Sequence, residues 1–356
     1  MERILLKNLI HTFSIDLVNW YSKNKRKLPW RDTKDPYKIW LSEIILQQTQ
    51  IIQGLPYYVN FITNYPNVQA LSEASENEIL KMWEGLGYYS RARNLHKTSK
   101  IVSKDLKGIF PVTYKELIKL PGIGDYSASA ISSFSNNEVV SVVDGNVYRF
   151  ISRLLGIKTL INTPKSLKEF KAVTMKLILK DNPRDFNQAI MEFGALVCRP
   201  ATPLCNGCIF KDNCYGYQND MVFNFPIKNR KNKIRNRFFN YLVFKSVDNQ
   251  TIIEKREKKG IWQNLYQFPL LETDKLIDNK EIIKHIKTLK FLKRIGSIQL
   301  FNNQNVIHKL SHQKISISYW IVNVKIIKSK STSLDKINSY PFPKPLSNFL
   351  SIFKLQ

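Results

Sequence analysis

Apolar residues recur at spacings of three and four through about the first 222 residues of the chain. This spacing is typical of amphipathic helices, whereas the strict alternation that is typical of half-buried strands is rare here. Short breaks such as NYPN, KGIFP and LPGIG separate the periodic segments. The pattern therefore predicts a mainly α-helical N-terminal region.

The pattern changes from Phe238 onward. The stretches FFNYLVFKS and QTIIEKR flank VDNQ, which predicts a β-hairpin, and KISISYWIVNVKII alternates as a strand with one buried face does. One helical segment is expected near residues 276–290. This half is therefore predicted to be a smaller α+β domain, and the basic, aperiodic stretch at residues 225–237 is expected to be a linker before it.

One predicted N-terminal helix has a polar face without lysine or arginine, although the chain is rich in lysine. The stretch WLSEIILQQTQ, residues 40–50, has an apolar stripe at helical spacing. Beside that stripe lie a carboxylate and two amides, from Glu43, Gln47 and Gln50, with no Lys or Arg. A solvated helix face is the ordinary interpretation of such a carboxylate, so the spacing alone assigns Glu43 no function.

Charge adds a class of partner to this picture. The chain has 356 residues, enough for two domains, and a formal net charge of +27 from 55 Lys and Arg against 28 Asp and Glu. Such a charge attracts polyanions such as nucleic acid or an anionic membrane surface, although a compositional bias toward lysine would also explain it. No run of about 18 apolar residues is present, and residues 1–23 are predicted to form an amphipathic helix rather than a signal peptide. We therefore expect a cytoplasmic protein without disulfides or a membrane span.

The four cysteines of the chain form one cluster in the sequence with the spacing C-x6-C-x2-C-x5-C: Cys198, Cys205, Cys208 and Cys214. Four thiols in one short segment can surround a single metal centre. Structural zinc sites usually have two C-x2-C pairs, whereas this compact and irregular spacing has one. The spacing therefore favours a [4Fe–4S] cluster, with zinc or no metal as the alternatives.

Two glycines mark a second candidate site. In LPGIGDYSASAI, Gly122 and Gly124 allow a tight turn before a helix of small residues, and the free N–H groups of that helix suit a phosphate. An ordinary helix–turn–helix corner is the alternative. Some twenty residues later, VDGN places Asp144 before another helix, where an N-cap is the ordinary role of an aspartate.

These motifs together resemble a known superfamily. The LPGIG hairpin, the VDGN turn and the cysteine spacing resemble those of the endonuclease III superfamily of DNA glycosylases, and LPWRDTKDPYKIWLSEIILQQTQ, WEGLGYYSRARNLHK and FNQAIMEFGALVC resemble the MutY family of adenine DNA glycosylases. The resemblance is dense over residues 20–220 and weaker beyond. It implies a helix-hairpin-helix six-helix barrel and an iron–sulfur helical domain, joined to a Nudix-like α+β domain. The implied boundaries are 1–28 with 137–222 for the cluster domain, 29–136 for the barrel, 223–237 for the linker and 238–356 for the Nudix-like domain.

The resemblance also implies roles for the residues of the site. Glu43 is implied to be the acid–base carboxylate and Asp144 the carboxylate that stabilises the sugar cation, as in glycoside hydrolysis. Tyr126 stands where lyase relatives have a Schiff-base lysine. We expect Tyr126 to hydrogen-bond to Asp144 or to the intermediate, and Asn146 to orient the same region. The DNA contacts implied are Arg31, Gln48, Leu86, Tyr88, Gly122, Gly124 and Gln188, with a core role for Leu86 as the alternative.

In the C-terminal half the resemblance implies recognition of 8-oxoguanine by a loop with the pattern Phe-Ser-His. Here Ser311 and His312 match that loop, but Leu310 stands at its aromatic position. A surface role for His312 is the alternative. No glutamate-dense helix of the kind that holds Mg²⁺ in Nudix hydrolases is found in the sequence, so nucleotide hydrolysis is not expected.

The function implied is that of a monomeric, monofunctional glycosylase that binds double-stranded DNA and excises adenine opposite 8-oxoguanine or guanine. A bifunctional pyrimidine-damage glycosylase like endonuclease III is one alternative, opposed by Tyr126 and by the additional C-terminal domain. A catalytically silent iron–sulfur DNA-binding protein is another, opposed by the presence of both Glu43 and Asp144.

Overall fold

The structure is a computed structural model that describes residues 2–229, 234–289, 292–302, 306–327 and 330–353. The chain forms two compact units. The first, called here the helical unit, consists of Met1–Glu73 and Asn94–Arg230. The second, called the mixed unit, consists of Ala74–Arg93 and Lys231–Gln356. The finer division of the helical region into a barrel and a cluster domain stays a prediction.

Helices account for the regular structure up to residue 222, as the sequence pattern predicts. They are α1 (Glu2–Asn24), α2 (Pro36–Leu46), α3 (Ile51–Asn64), α4 (Val68–Glu73), α5 (Glu76–Met82), α6 (Ser90–Lys104), α7 (Tyr114–Leu117), α8 (Asp125–Asn136), α9 (Gly145–Leu155), α10 (Pro164–Leu177), α11 (Pro183–Leu196) and α12 (Tyr215–Gln218). Short 3-10 turns lie at Pro29–Arg31, Cys205–Gly207, Lys211–Asn213 and Val222–Asn224. None of the described helices is both long enough and apolar enough to cross a bilayer.

An aromatic core holds the helical unit together around α1, α9 and α11. The rings of Phe150 and Phe193 lie 4.7 Å apart, and that of Phe13 lies 4.7 Å from Phe210. All four are almost fully buried. Phe210 lies in the cysteine segment, so this core fixes that segment against the helix that begins directly after Asp144.

The helices that present the candidate site begin at distinct signals. Helix α2 starts at Pro36 after Asp35, whose carboxylate accepts the Tyr37 N–H at 2.9 Å. Helix α8 follows the predicted glycine hairpin. There Gly122 has φ 77, and a Cβ on it would lie 2.6 Å from the Cβ of Asn94. The hairpin therefore requires glycine at position 122, both for its backbone conformation and for its space.

The mixed unit is built on a sheet with strand order β5–β1–β8–β6, and β7 also pairs with β8. The strands are β1 (Arg235–Ser246), β2 (Gln250–Thr251), β3 (Glu254–Lys255), β4 (Tyr266–Gln267), β5 (Leu270–Thr273), β6 (Leu292–Leu300), β7 (Val306–Lys309), β8 (Gln313–Ile327) and β9 (Thr332–Ser333). Two further helices complete it: α13 (Asn279–Lys287) and α14 (Lys344–Phe353). The predicted strand near 314–327, the predicted helix near 276–290 and the α+β class are thus confirmed.

Both faces of this sheet are covered, which explains its long apolar strands. On one face Leu242 and Trp320 pack against Ile282 of α13. On the other, the Tyr319 ring stacks 4.2 Å from the ring of Phe349 in α14. Strands buried on both faces carry near-continuous apolar runs.

The predicted hairpin around VDNQ is wrong in its pairing. The turn is present, since the Asn249 N–H donates to the Ser246 carbonyl at 3.1 Å. However, β1 pairs in parallel with β8 along its whole length and antiparallel with β5, so both of its edges are occupied. The strand after the turn, β2, therefore pairs with β9 instead.

The predicted linker is shorter than expected. Its described residues up to 229 lack helix and strand apart from the 3-10 turn that ends at Asn224, but β1 already begins at Arg235. Residues 230–233 of the predicted linker lie outside the described residues.

Candidate active site

A cleft of about 700 Å³ in the helical unit brings together residues that lie far apart in the sequence. It lies among α2, α8, α9 and α11 and the 3-10 turn before α2. Eight of the residues predicted from the sequence line it: Arg31, Glu43, Gln48, Gly124, Tyr126, Asp144, Asn146 and Gln188. The structure therefore places the predicted catalytic set, and part of the predicted DNA-binding set, at one site.

Glu43 is the buried carboxyl of this cleft. It lies in the last part of α2, between the core residues Ile39 and Ile44, and is only 7 % exposed. Burial raises its pKa to about 7, and the negative charge of Asp144 adds to that increase. The hydrogen bond from Tyr126 and the positive charge of Arg31 act in the opposite direction. Glu43 can therefore be a neutral, proton-donating acid near neutral pH.

Asp144 combines the structural role expected of it with a place in the cleft. It is the N-cap of α9, where its carboxylate accepts the Val147 N–H at 2.8 Å and the Asn146 Nδ2 amide at 2.7 Å. Burial raises the pKa of Asp144, while these two donors and the Arg149 charge lower it. Because its donors stabilise the charged form, Asp144 is the better candidate for the ionised member of the pair.

Tyr126 has a different partner from the one predicted first. Its hydroxyl hydrogen-bonds to the Glu43 carboxyl, and Asp144 acts on it only through its charge. Burial and the two negative charges raise the pKa of Tyr126 well above its ordinary value. The hydroxyl therefore stays protonated and is held as a donor to Glu43.

A chain of hydrogen bonds runs from Asp144 to the cysteine segment. Asn146 donates to Asp144 and accepts from Arg149 Nη2 at 2.9 Å. The same guanidinium donates from Nη2 to the Gly194 carbonyl at 2.6 Å and from Nε to the Cys198 carbonyl at 2.7 Å. The predicted orienting role of Asn146 thus has a structural basis, since its own amide is fixed on both sides.

The four cysteines line one small cavity beside this chain, together with Phe150 and Phe210. The thiols are free, and burial followed by the charges of neighbouring thiols raises the pKa of Cys205, Cys208 and Cys214. Among the described residues no group of His, Cys, Asp or Glu is arranged to hold a single metal ion. The four thiols nonetheless line one space, so these cysteines could together hold a thiolate-bound group there.

The cleft also contains an ion-pair cluster that the sequence did not reveal. Glu192 in α11 is 1 % exposed and accepts from Arg26 Nε at 2.8 Å and from Arg31 Nη1 and Nη2 at 2.8 and 2.7 Å. Burial raises its pKa, but the hydrogen bonds from the two arginines outweigh that effect and lower the pKa to about 2. One helix turn earlier, Gln188 accepts the Tyr21 hydroxyl at 3.0 Å. The available signal was a lone glutamate on the apolar face of α11.

The remaining predicted DNA contacts differ in exposure. Gln48 is exposed and has φ 54, directly after the cap of α2, and Gly124 has open space around its Cα. Tyr88 in the mixed unit is 52 % exposed with φ 47. Leu86 is only 6 % exposed, so the structure supports its alternative role as a core residue and does not present it for DNA contact.

The predicted recognition loop lies in the mixed unit between β7 and β8. The Leu310 N–H donates to the Gln313 carbonyl at 2.8 Å, which closes a tight turn and leaves Ser311 and His312 exposed. The Ser311 hydroxyl shares a hydrogen bond of 2.5 Å with the hydroxyl of Tyr88. Two residues predicted from separate motifs therefore meet here.

Two family models match the chain. Residues 41–176 match the HhH-GPD superfamily base excision DNA repair protein, and residues 240–351 match the NUDIX domain. The first range contains both carboxyls of the cleft, and the second contains the turn that begins at Leu310. The predicted helix-hairpin-helix and Nudix-like regions are thus confirmed.

The chain is similar along its length to curated relatives. It is 38 % identical over 97 % of its own length and 99 % of the relative's to an adenine DNA glycosylase of Buchnera aphidicola subsp. Schizaphis graminum. To the adenine DNA glycosylase of Buchnera aphidicola subsp. Baizongia pistaciae it is 39 % identical, over 87 % and 86 % of the two chains. The mouse adenine DNA glycosylase is 38 % identical over 59 % of this chain and 42 % of its own.

Solved structures resemble the helical part. A thermostable thymine-DNA glycosylase matches 60 % of this chain and 98 % of its own with a TM-score of 0.56 and 28 % identity. A non-covalent endonuclease III–DNA complex matches the same shares with a TM-score of 0.53 and 20 % identity, which is a likeness of fold. These comparisons confirm the superfamily inferred from the sequence motifs.

Proposed function

The chain belongs to the adenine DNA glycosylase family, and from this we propose that it excises adenine paired with 8-oxoguanine or guanine as a monofunctional glycosylase. It is a DNA N-glycosylase of base excision repair. The observation that carries the proposal is the buried Glu43 carboxyl, with its raised pKa and its Tyr126 donor, in one cleft with Asp144.

In the first step, neutral Glu43 gives its proton to N7 of a flipped adenine. The bond between C1′ of the sugar and N9 of the base then breaks, and its electron pair leaves with the base. The sugar becomes cationic, and ionised Asp144 stabilises or captures that charge. Asn146 and the Val147 N–H hold the Asp144 carboxylate in place for this role.

In the second step, Glu43 works as a base. Having lost its proton, it removes one from a water molecule whose oxygen bonds to C1′; where Asp144 has bonded to C1′, that bond breaks and its electron pair returns to the carboxylate. The carboxyl is thereby restored to its acid form, and the product is an abasic site. Tyr126 keeps Glu43 oriented through both steps, because its own raised pKa keeps its hydroxyl protonated.

No amine is placed for lyase chemistry. Position 126 is tyrosine, and no lysine is among the described residues that line the cleft. A Schiff base with the sugar requires such an amine. We therefore infer that the DNA backbone stays intact, which opposes the endonuclease III-like alternative.

The cysteine cavity supports one [4Fe–4S] cluster as the resident group. Cys198, Cys205, Cys208 and Cys214 would hold it, and it would fix the segment onto which Arg149 donates. Purified protein should be brown, with broad absorption in the visible and iron bound in proportion to protein. A colourless protein with stoichiometric zinc would refute this assignment.

The proposed partner is double-stranded DNA with an A:8-oxoguanine or A:G mispair, bound by a monomer. The net charge of +27, the exposed Gln48 and the glycine hairpin support binding to the backbone. The contact between Tyr88 and Ser311 supports recognition of the opposite base by the mixed unit. Because Leu310 has no aromatic ring, recognition of 8-oxoguanine would rely on hydrogen bonds from Ser311 and His312.

The test is single-turnover cleavage of a duplex with one A opposite 8-oxoguanine, with and without alkali. Strand breaks that form only after alkali are expected, and a Glu43→Gln variant should give none. Breaks without alkali would indicate lyase activity. A wild-type protein inactive in both lanes yet able to bind the duplex would support the catalytically silent alternative.

A further inference from the structure

The Tyr88 turn, residues 83–89, is shaped by contacts among its own residues and Arg91. Its left-handed Tyr88 is an unfavourable conformation for an aromatic residue. The Gly87 carbonyl accepts the Trp83 Nε1–H and an Arg91 Nη2–H, each at 3.1 Å. The Arg91 guanidinium also lies over the Trp83 ring, 5.0 Å from its centroid. These contacts shape the turn from within, but they do not fix its position.

Two hydrogen bonds tie both flanks of this turn to one short segment of the C-terminal part of the mixed unit. Before the turn, Glu76 Oε1 accepts from Asn264 Nδ2 at 2.7 Å. After the turn, Arg93 Nη1 donates to the Gln263 carbonyl at 2.8 Å. Residues 263 and 264 are neighbours, so a displacement of this segment would move both flanks together.

The segment that makes these ties is itself strained. Gly260 has φ 140, Trp262 has φ 59 and Asn264 has φ 67, so two side-chain-bearing residues within three adopt the left-handed conformation. The Asn264 N–H donates to the Arg256 carbonyl at 2.8 Å, which closes the turn. Such strain persists only where surrounding contacts enforce it, and it is concentrated at functional positions.

The same segment reaches the partner of Tyr88. The Trp262 ring lies 5.6 Å from the ring of His308 in β7, three residues before Ser311. Trp262 is 7 % exposed and also packs on Phe239. One strained turn therefore contacts the elements on both sides of the hydrogen bond between Tyr88 and Ser311.

We propose that Glu76, Arg93, Gln263 and Asn264 form a clasp that positions Tyr88 against Ser311 and thereby sets the preference for 8-oxoguanine over guanine. The clasp residues are positioning residues, which act through the Tyr88 turn. The inference rests on the proposed function in one respect, that Tyr88 and Ser311 recognise the base opposite adenine. Its structural part concerns only the DNA-free protein and can be tested separately.

The first test uses Asn264→Gly in the full-length protein. Glycine keeps the left-handed backbone and removes only the amide that donates to Glu76. The matched control is Asn249→Gly, since Asn249 also has a left-handed backbone, with φ 59, and donates to a carboxylate, Asp335, at 3.1 Å. Amide hydrogen exchange of residues 83–93 is measured without DNA, and excision rates are measured on A:8-oxoguanine and A:G duplexes.

We expect faster exchange in residues 83–93 for Asn264→Gly and a roughly fivefold to tenfold lower ratio of the two excision rates, since a hydrogen bond to a charged group is lost. The Asn249→Gly control should match wild type in both. If either readout of Asn264→Gly stays at the level of the control, the clasp proposal is overturned.

A second pair of variants separates the hydrogen bond from the charge. Glu76→Gln and Glu76→Ala remove the same charge, but glutamine keeps an acceptor for Asn264. Glutamine should therefore restore most of the wild-type preference and alanine should not; equal effects would contradict the clasp. A wild-type enzyme that excises adenine with no preference for 8-oxoguanine would refute lesion reading, while the exchange result would still decide whether the clasp holds the turn.

Discussion

Two glutamates in the same cleft have opposite ionisation behaviour. Burial dominates at Glu43 and raises its pKa to about 7. Burial also acts on Glu192, but two arginines lower that pKa to about 2. Both side chains are nearly inaccessible to solvent, at 7 % and 1 % exposure. What lowers the pKa of Glu192, and has no counterpart at Glu43, is the set of hydrogen bonds from the two arginines.

The comparison shows how one fold provides a carboxyl that can be neutral near pH 7 beside one that stays ionised. Glu43 has a neutral phenol as its hydrogen-bond donor, which can orient the acid without fixing it in the charged form. Glu192 receives charge-assisted bonds from Arg26 and Arg31, which hold it ionised. A group that must gain and lose a proton needs the first environment, and a group that shapes a pocket needs the second.

The largest expected effect comes from Glu43→Gln, which removes the carboxyl with the raised pKa. Excision should fall roughly a thousandfold or more, because general acid and base catalysis are both lost. The raised pKa of Glu43 means that the folded state of the wild type binds an extra proton between about pH 4.5 and 7. Wild-type stability therefore declines as the pH rises through that window.

The same variant should consequently be more stable than wild type above pH 7, by roughly 3 kcal/mol at most, and equal to it near pH 4. Single-turnover kinetics and urea unfolding at both pH values measure the two effects. The buried-acid interpretation would be contradicted if the inactive variant differed from wild type in free energy of unfolding by the same amount at every pH.

Glu192→Gln removes the carboxylate that the two arginines hold ionised. The mostly buried Arg31 and the partly exposed Arg26 would lose their counter-charge, so the free energy of unfolding at pH 7 should fall by roughly 3 kcal/mol. The depressed pKa of Glu192 gives stability that is present above about pH 4.5 and is lost as the pH falls toward 2. The difference from wild type should therefore shrink across that range.

Urea unfolding between pH 2 and 8 measures this effect, with exposed Glu73→Gln as the control in the same unit. A Glu192→Gln variant as stable as the control at pH 7 would show that the arginine cluster does not stabilise the fold.

Tyr126→Phe tests the hydrogen bond from Tyr126 to Glu43 without removing either carboxyl. The hydrogen bond from Tyr126 lowers the pKa of Glu43, so its loss should raise that pKa further. Because the proposed mechanism has the acid form of Glu43 donate the proton, activity should fall as the pH rises through its pKa. The alkaline limb of the pH–rate profile should therefore move to higher pH in the variant, and an unmoved limb would exclude the proposed contact.

The smallest effect is expected from Arg31→Lys, which tests whether the ionisation of Glu43 is independent of the contacts of Glu192. Lysine keeps the charge that acts on Glu43 but cannot make the paired contact with Glu192. Stability should fall by about 1 kcal/mol, while the alkaline limb of the pH–rate profile stays in place. A shifted limb would mean that the two carboxyls are coupled through Arg31.

Local sequence patterns predicted the elements of this site better than its contacts. The spacing around Glu43 predicted a helix with a polar face, and VDGN predicted a helix start at Asp144. Family resemblance then indicated that the two carboxyls share a pocket. Glu192 could not be found this way, because its partners Arg26 and Arg31 lie more than 160 residues earlier and no local pattern records such a contact.

Side-chain direction and sheet pairing were the other sources of error. Tyr126 donates to Glu43 because the second residue of α8 faces α2, which depends on how the two helices pack. Leu86 is buried although its turn is rich in glycine, since Trp83 and Arg91 organise that turn. The VDNQ turn was predicted correctly, but pairing of β1 with β8 depends on residues nearly eighty positions away.

The double role of Asp144 has a genetic consequence. Asparagine caps helices as well as aspartate does, so Asp144→Asn should keep the cap of α9 and lose only the hydrogen bond from Asn146, while removing the negative charge that the proposed mechanism places beside the sugar. Quality-control proteases clear unstable proteins, but they would spare this one. Under the proposed function, a cell that expresses this variant beside the wild type would hold intact protein that occupies the DNA substrate without repairing it, so the variant allele should be dominant over the wild type, whereas a null allele should be recessive.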